Sequence, residues 1–333
     1  MSILKKHPLV AYYLLTFTLS WSGFLLFVGP GSLVNTNWQA QGTFVSAVLA
    51  MLAGPSVAGL LLTGLLDGRA GYRDLVARLR TWRVEARWYA VALLPAPILS
   101  AGILMMLSLP APLLSNEDRA AVALGGLGAA LTTILEEIGW TGFVVPRLRR
   151  RHSVPITGLI VGVLWGLWHF LQQIFIGGTY ADGIPLLAFV TLSTAAAVAN
   201  LTAYRVLMVW VYDRTRSLLV TTVMHGMLTA TTIFWFAPVA TGTLFLANVW
   251  LMAAAMWLLV AAVAAVEGWL TFGHTNPFRG ADGRVLSNSV AHPGRTPRPL
   301  GAAGDERGLL RRAESAVQEA RLVRRLGARG VRR

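Results

Sequence analysis

Long apolar runs separated by short polar segments repeat along this chain of 333 residues. An apolar run of roughly 17–25 residues can cross a hydrocarbon core of ~30 Å as an α-helix. The pattern therefore predicts an all-α fold, a polytopic bundle of about eight transmembrane helices. The predicted spans are 9–29, 44–66, 88–109, 120–143, 154–176, 185–203, 217–236 and 243–270.

The first apolar run follows two lysines, as the core of a signal peptide would. It extends from Leu9 to Phe27 and lacks the small residues of a cleavage site. We therefore interpret it as a retained first helix.

Every second segment between the predicted spans is net basic, and Arg119, in one of the other segments, is offset by Glu117 and Asp118. The basic segments are the N-terminus, 67–87, 147–152 and 204–216, and the others are 30–43, 110–119, 177–184 and 237–242. Lysine and arginine mark the cytoplasmic side of a membrane protein. This alternation predicts a multi-pass protein of the cell membrane with both termini in the cytoplasm.

The composition supports a membrane location and argues against a nucleic-acid partner. Charged residues make up only 13% of the chain, against about 25% in soluble domains. The net charge of +14 comes from the segments named above and from 13 arginines after Phe272. A nucleic-acid-binding protein would instead show a continuous basic face. We expect the lipid bilayer, and no nucleic acid, as a partner.

Two further counts restrict the chemistry and the source. The absence of cysteine excludes disulfides, thiolate nucleophiles and cysteine-type zinc sites. The preference for arginine over lysine suits a GC-rich genome, so we expect a bacterial source.

The chain divides at about residue 272. Residues 1–272 are predicted to form the helical bundle, and 273–333 a basic, largely disordered cytoplasmic tail that is poor in apolar residues as far as Gly304. Apolar residues return at helical spacing over 305–326. Two interpretations stay open there: a weak helix exposed to solvent, or a basic amphipathic helix on the anionic inner leaflet.

Four carboxylate or imidazole side chains lie inside predicted spans and away from the span ends: Glu136, Glu137, His169 and His225. A charge near the bilayer centre costs ~2.5–3.5 kcal/mol even on a lenient scale, which makes such residues functional candidates. A rise of 1.5 Å per residue places Glu136, His169 and His225 about 15, 22 and 12 Å from the cytoplasmic ends of their helices. The pattern predicts that three helices bring these groups to one polar cavity.

Three ordered motifs around these residues resemble the signatures of the CAAX-protease and bacteriocin-processing (CPBP, Abi-type) family of intramembrane peptidases. Glu136–Phe143, with Pro-Arg-Leu shortly after it, resembles the signature EExxxR. Trp165–His169 resembles the second, an aromatic residue four positions before a histidine. His225–Thr229 occupies the position of the third, HxxxN. The resemblance covers roughly residues 120–236, the expected family core.

The resemblance implies an endopeptidase that hydrolyses a membrane-associated peptide or protein. By resemblance, Glu136 is the base that activates water and His169 holds that water. His225 and Thr229 line the oxyanion site, and Glu137 completes the catalytic set. Thr229 stands where the family usually has asparagine.

Thr141 departs from the family in a second way, because the family has arginine at that position. Glu137 lies one helical turn before Thr141 and so lacks a local partner. We expect Glu137 to be either protonated or paired with Arg205 or Arg147.

The use of a metal is left open by the sequence. Glu136, His169 and His225 form a set of the kind that binds catalytic zinc. A metal-free glutamate peptidase is favoured, because HExxH-type pairing on one helix is absent. No cofactor is favoured.

Two other functions remain as alternatives. One is a catalytically weakened or inactive family member that acts as a membrane binding or immunity factor. The other is a proton-coupled transporter that uses the glutamates as a relay. The transporter is less favoured, because the sequence shows no sign of interrupted helices in matched halves of the chain.

Overall fold

The computed structural model of the protein describes residues 2–29 and 43–268. The predicted tail 273–333, its segment 305–326 and most of the connection 30–43 lie outside the described residues. Within the two ranges every regular element is helical, which confirms the all-α prediction. The helices are α1 (Ser2–Lys6), α2 (Pro8–Val28), α3 (Phe44–Leu79), α4 (Ala86–Leu93), α5 (Pro95–Met106), α6 (Pro112–Ser115), α7 (Arg119–Thr132), α8 (Ile134–Gly139), α9 (Val145–Arg149), α10 (Val154–Trp168), α11 (Phe170–Tyr180), α12 (Leu186–Thr215), α13 (Leu218–Ala230) and α14 (Gly242–Glu267).

Seven helical segments of the described residues are long and apolar enough to cross a membrane. They are Pro8–Val28, Val45–Leu79, Ala86–Met106, Arg119–Arg149, Leu186–Thr215, Leu218–Trp235 and Gly242–Glu267. The remaining predicted span corresponds to α10, which is apolar but shorter, and to α11 after it. The chain is thus a multi-pass membrane protein.

Two segments predicted as cytoplasmic loops are largely helical. The predicted loop 67–87 is helical as far as Leu79, and α3 bends within it at Gly68, which has φ 60° and ψ −146°. Glycine adopts positive φ without a steric cost. The predicted loop 204–216 is wrong as well, because α12 continues to Thr215 and Arg205 is completely buried in it.

Two predicted spans are interrupted beside their ionisable residues. The span 120–143 is interrupted at Thr133, between α7 and α8, and 154–176 is interrupted at His169, between α10 and α11. The sequence pattern gives no sign of either interruption. The two interruptions lie in consecutive spans, the fourth and the fifth, and not at corresponding positions of two halves of four spans each, so they do not form the matched pair typical of transporters.

Helix α8, which carries the two glutamates, and helix α13, which carries His225, each continue into a π-helical turn. These turns are Trp140–Val144, after α8, and Thr231–Trp235, after α13. Single π-helical turns are rare and occur frequently at functional sites. They direct attention to the region between α8 and α13.

Helix α10 packs directly on α12 through three glycines spaced four residues apart. A β-carbon on any of these glycines would lie 2.5–2.6 Å from an α-carbon of α12. The pairs are Gly158 with Val206, Gly162 with Thr202 and Gly166 with Val198. Small residues at this spacing allow membrane helices to approach closely. The contact brings Trp165 of α10 next to Arg205 of α12.

Helix α8 is held against α2 and α3. The Ser56 hydroxyl of α3 donates a hydrogen bond to the Leu135 carbonyl, and the backbone of Pro55 closely approaches Gly139. Tyr12 of α2 contacts the rings of Trp140 and Phe143, with centroids 5.5 and 5.3 Å away. These contacts fix the segment that carries the two glutamates.

Candidate active site

Glu137 forms a buried ion pair with Arg205. Arg205 donates from Nη2 to Oε1 at 2.9 Å and from Nη1 to Oε2 at 3.0 Å, and both side chains are 0% exposed. The Thr141 hydroxyl donates to Oε2 of Glu137 and accepts from Nη1 of Arg205 at 3.3 Å. Of the three expected states of Glu137, the structure therefore has pairing with Arg205. Arg147 instead pairs with Asp67.

His225 lies between the two glutamates. Its Nδ1 is 2.9 Å from Oε1 of Glu137, and its Nε2 is 3.9 Å from Oε1 of Glu136. Because an ionised carboxylate only accepts hydrogen bonds, we assign the proton to Nδ1. The hydrogen bond from Nδ1 to Glu137 thus directs Nε2 towards Glu136. The backbone just before His225 is held by Tyr204, whose hydroxyl donates to the Met224 carbonyl at 2.7 Å.

Glu136 makes its hydrogen bond to a different helix, α10. Its Oε2 accepts from the indole Nε1 of Trp165 at 2.7 Å, and the side chain is buried. The 3.9 Å from Oε1 to His225 is too long for a direct hydrogen bond. Oε1 is therefore available to accept a proton from a reactant.

His169 is oriented by the backbone of its own helix. Its Nδ1 is 2.9 Å from the Trp165 carbonyl, which can only accept, so Nδ1 carries the proton and Nε2 is the acceptor. The ring packs edge-on against Trp168, with centroids 4.8 Å apart. His169 is half-buried, in contrast to His225, which is buried.

Trp165 contacts His169, Glu136 and His225 and so links the three groups. The sequence indicates no role for it beyond its place in a motif. Its carbonyl binds His169, its indole binds Glu136, and its ring lies 4.8 Å from the ring of His225. The Arg205 guanidinium lies over the same ring at 4.1 Å. The spacing of four residues before His169 was the only sequence signal, since it allows a contact one turn later.

A comparison with known protein families matches this same region. Residues 118–231 match the family model described as "Type II CAAX prenyl endopeptidase Rce1-like". A relative, "CAAX prenyl protease 2" of Methanococcus maripaludis, is 36% identical over 50 residues, which cover 15% of this chain and 18% of the relative. The chain thus matches less than a fifth of that protein. These two findings support a member of the CPBP family.

The remaining site residue taken from the CPBP signatures is Thr229. It lies on α13 one helical turn after His225, so that the two share a face of the helix. The side chain is half-buried. Its role at the oxyanion site stays a prediction, as do the catalytic roles of the other four residues.

The zinc set suggested by the CPBP motifs is not assembled as a metal site in this structure. Among residues 2–29 and 43–268, no group of three or more His, Asp or Glu side chains lies close enough to hold a metal ion. In the assigned tautomers Nδ1 of both histidines is hydrogen-bonded and Nε2 carries no proton, as a zinc ligand would need. Zinc held by Glu136, His169 and His225 therefore stays an alternative to the metal-free chemistry.

Proposed function

We propose that this chain is an intramembrane endopeptidase that hydrolyses a membrane-associated peptide or protein. The observation that carries the proposal is the pair of Glu136 and His225. One oxygen of Glu136 is fixed by Trp165, and the other faces Nε2 of His225 at 3.9 Å, inside a bundle of apolar helices. A carboxylate and an imidazole at this separation can act on the same reactant.

Glu136 would act first as the general base. It takes a proton from a water that Nε2 of His169 also accepts from, while the water oxygen forms a bond to the scissile carbonyl carbon. The carbonyl becomes an oxyanion. Glu136 then returns the proton to the amide nitrogen as the carbon–nitrogen bond breaks, which yields a carboxylic acid and an amine; the acid afterwards releases its proton to water. General acid–base catalysis of this kind contributes about 10²–10⁴ in rate.

His225 and Thr229 would stabilise the oxyanion. As an imidazolium, with Nδ1 still bonded to the Glu137 carboxylate, His225 would donate to the oxyanion from Nε2. Thr229 offers one hydroxyl hydrogen from the next turn of α13. Loss of one such donor costs about 10²–10³ in turnover in other enzymes.

The substrate class is proposed from the names of the matched proteins. A prenylated peptide that ends in a CAAX sequence is the first probe, because the family model and the relative are both described by this substrate. We also propose a bacterial source, on the basis of the preference for arginine over lysine, and a cell-membrane location with both chain ends in the cytoplasm, on the basis of the alternating basic segments.

The function is tested with the purified protein in lipid nanodiscs. A fluorogenic farnesylated CAAX peptide is one substrate, and bacterial membrane proteins followed by terminal-peptide mass spectrometry are the other. Glu136→Gln, His169→Ala and His225→Ala should each abolish cleavage, on the order of 10³-fold or more. A triple variant should be no worse, since residues that act as a unit are not additive.

The matched control is Glu117→Gln, because Glu117 is an exposed glutamate in the connection before α7. It should cleave as the wild type does. Full activity of Glu136→Gln would refute its role as base, and an absence of new termini with folded wild-type protein would favour the binding or immunity factor. Activity that is lost with a chelator and restored by zinc would contradict the metal-free assignment.

A further inference from the structure

We propose that Arg205 is a positioning residue that orients both glutamates of the candidate site, Glu137 directly and Glu136 through Trp165. Its kinetic part rests on the proposed peptidase function, whereas its spectroscopic part does not. The inference starts from a side chain that the sequence places among loop residues and the structure places in the middle of α12.

The direct link is the ion pair with Glu137. The two terminal nitrogens of Arg205 bind the two oxygens of Glu137, which fixes the carboxylate in a plane as well as in position. Oε1 of Glu137 also receives Nδ1 of His225. Removal of the guanidinium would leave Glu137 free to rotate or to take up a proton, and His225 would lose its defined acceptor.

The indirect link passes through Trp165. The guanidinium carbon of Arg205 lies 4.1 Å from the centre of the Trp165 ring, within the range of a cation–π contact. The indole nitrogen of that ring donates to Oε2 of Glu136 at 2.7 Å. A displacement of the indole would therefore move the carboxylate that the mechanism uses as base.

Thr141 explains why the arginine can reach Glu137 from a different helix. Its short side chain lies between Glu137 and Arg205 and hydrogen-bonds to both of them. An arginine at position 141 would occupy this space, one turn after Glu137 on the same face of the helical segment. The signature EExxxR and the pair of Thr141 with Arg205 are then two ways to supply one cation to the second glutamate.

A lysine cannot perform both tasks of Arg205. The two terminal nitrogens of Arg205 bind Glu137 while its guanidinium lies over the Trp165 ring. The ammonium group of a lysine is a point charge that cannot make both contacts at once. The conservative variant Arg205→Lys should keep the charge next to Glu137 and lose the orientation of Trp165. This variant therefore distinguishes the direct link to Glu137 from the indirect link through Trp165.

The infrared spectrum of the purified, ¹³C-glutamate-labelled protein reports the charge of Glu137. Arg205→Met should show a protonated glutamate carbonyl band that the wild type and Arg205→Lys lack, and Glu137→Gln in the same background should remove it. The double variant Thr141→Arg with Arg205→Met should lose the band as well. These expectations hold whether or not a substrate is known.

The kinetic readout uses the farnesylated CAAX peptide. Arg205→Met should lower kcat about 10²-fold with KM changed less than about threefold, because the residue does not contact substrate. Thr141→Arg added to Arg205→Met should restore at least tenfold of this loss. Arg205→Lys should lower kcat by an intermediate factor.

The matched control is Arg149→Met. Arg149 is also buried and forms a two-point pair with a carboxylate, Asp213, but this pair lies outside the candidate site. It should lower the melting temperature without the glutamate band and without a change in kcat of the folded fraction.

Two results would overturn the proposal. One is an Arg205→Met spectrum without a Glu137-dependent band. The other is a kcat loss no greater than that of Arg149→Met at equal folded fraction. If Arg205→Met does not fold, the kinetic comparison of Arg205→Lys with Arg149→Met decides instead, and an Arg205→Lys kcat equal to that of the wild type would overturn the link through Trp165. If the wild type cleaves neither substrate, the peptidase function falls while the infrared result still decides the link from Arg205 to Glu137.

Discussion

Glu136 and Glu137 are neighbours in sequence but have different surroundings in the structure. Successive residues of an α-helix differ in direction by about 100°. Glu136 therefore meets Trp165 of α10, while Glu137 meets Arg205 of α12 and His225 of α13. A carboxylate with a cation and two further partners is a fixed ion, and one with a single hydrogen bond can exchange a proton. This difference supports Glu136, not Glu137, as the base.

A second departure from the CPBP signatures, Thr229, can be tested at the same scale. Thr229→Ala should lower kcat about 10²-fold, because one oxyanion donor is lost. Thr229→Asn should restore or raise kcat, since an amide offers two hydrogens. The rates are measured with the farnesylated CAAX peptide.

The control for Thr229 is Thr232→Ala. Thr232 is a partly buried threonine just beyond α13, and its hydroxyl donates to the Leu228 carbonyl at 2.8 Å. It should leave kcat unchanged. An equal effect of the two alanine variants would mean that Thr229 acts through helix stability and not at an oxyanion.

The sequence located the ionisable residues of the site but not all of their partners. Glu136, His169 and His225 stand out because charged or titratable groups are rare in apolar runs. Trp165 does not stand out, since an indole in such a run is indistinguishable from a core residue. The predicted span 185–203 ends before Arg205, so the sequence places this arginine in a loop. Inside α12 its buried charge is compensated by the Glu137 carboxylate of another helix, which the sequence pattern does not reveal.

At the scale of helices, the interruptions could not be predicted for a different reason. Thr133 and His169 each stand between two helices, and neither is a proline or glycine, the residues that usually mark a helix break in a sequence. Hydrophobic periodicity continues across both positions, so the pattern predicts one helix where the structure has two. Seven of the eight predicted spans correspond to helical segments long and apolar enough to cross a membrane; the eighth, formed by α10 and α11, stays a prediction as a crossing.

The glycine contact between α10 and α12 is the element-scale feature that the site depends on. A β-carbon on Gly162 would lie 2.5 Å from the Thr202 α-carbon and 3.1 Å from the Arg205 β-carbon. Gly162→Ala should therefore separate the two helices and cost about 1–3 kcal/mol of stability, as overpacking does. It should lower both the melting temperature and kcat, because Trp165 and Arg205 move apart.

The control is Gly102→Ala in α5, where a β-carbon would meet nothing within 4 Å. Its melting temperature and kcat should match those of the wild type. A Gly162→Ala protein with an unchanged melting temperature would show that the two helices tolerate separation, and the packing argument would fail.

For the whole molecule, the orientation in the membrane is predicted from the basic residues near the helix ends. Arg205 no longer counts as a cytoplasmic charge, because it is buried and paired. The segment that contained it still has Arg214, in the last turn of α12, and Arg216 just after it, so the alternation of basic and non-basic segments survives the correction. The positive-inside rule therefore still predicts that both ends of the described bundle lie in the cytoplasm.

This orientation can be measured because the chain contains no cysteine. Single cysteines are introduced at exposed positions: Arg83→Cys and Arg151→Cys on the predicted cytoplasmic side, and Asn116→Cys and Val239→Cys on the outer side. A membrane-impermeant maleimide applied to intact cells should label the second pair only. After the membrane is made permeable, all four should react, which controls for accessibility. Labelling of Arg83→Cys in intact cells would reverse the orientation, and the site would then open to the outside.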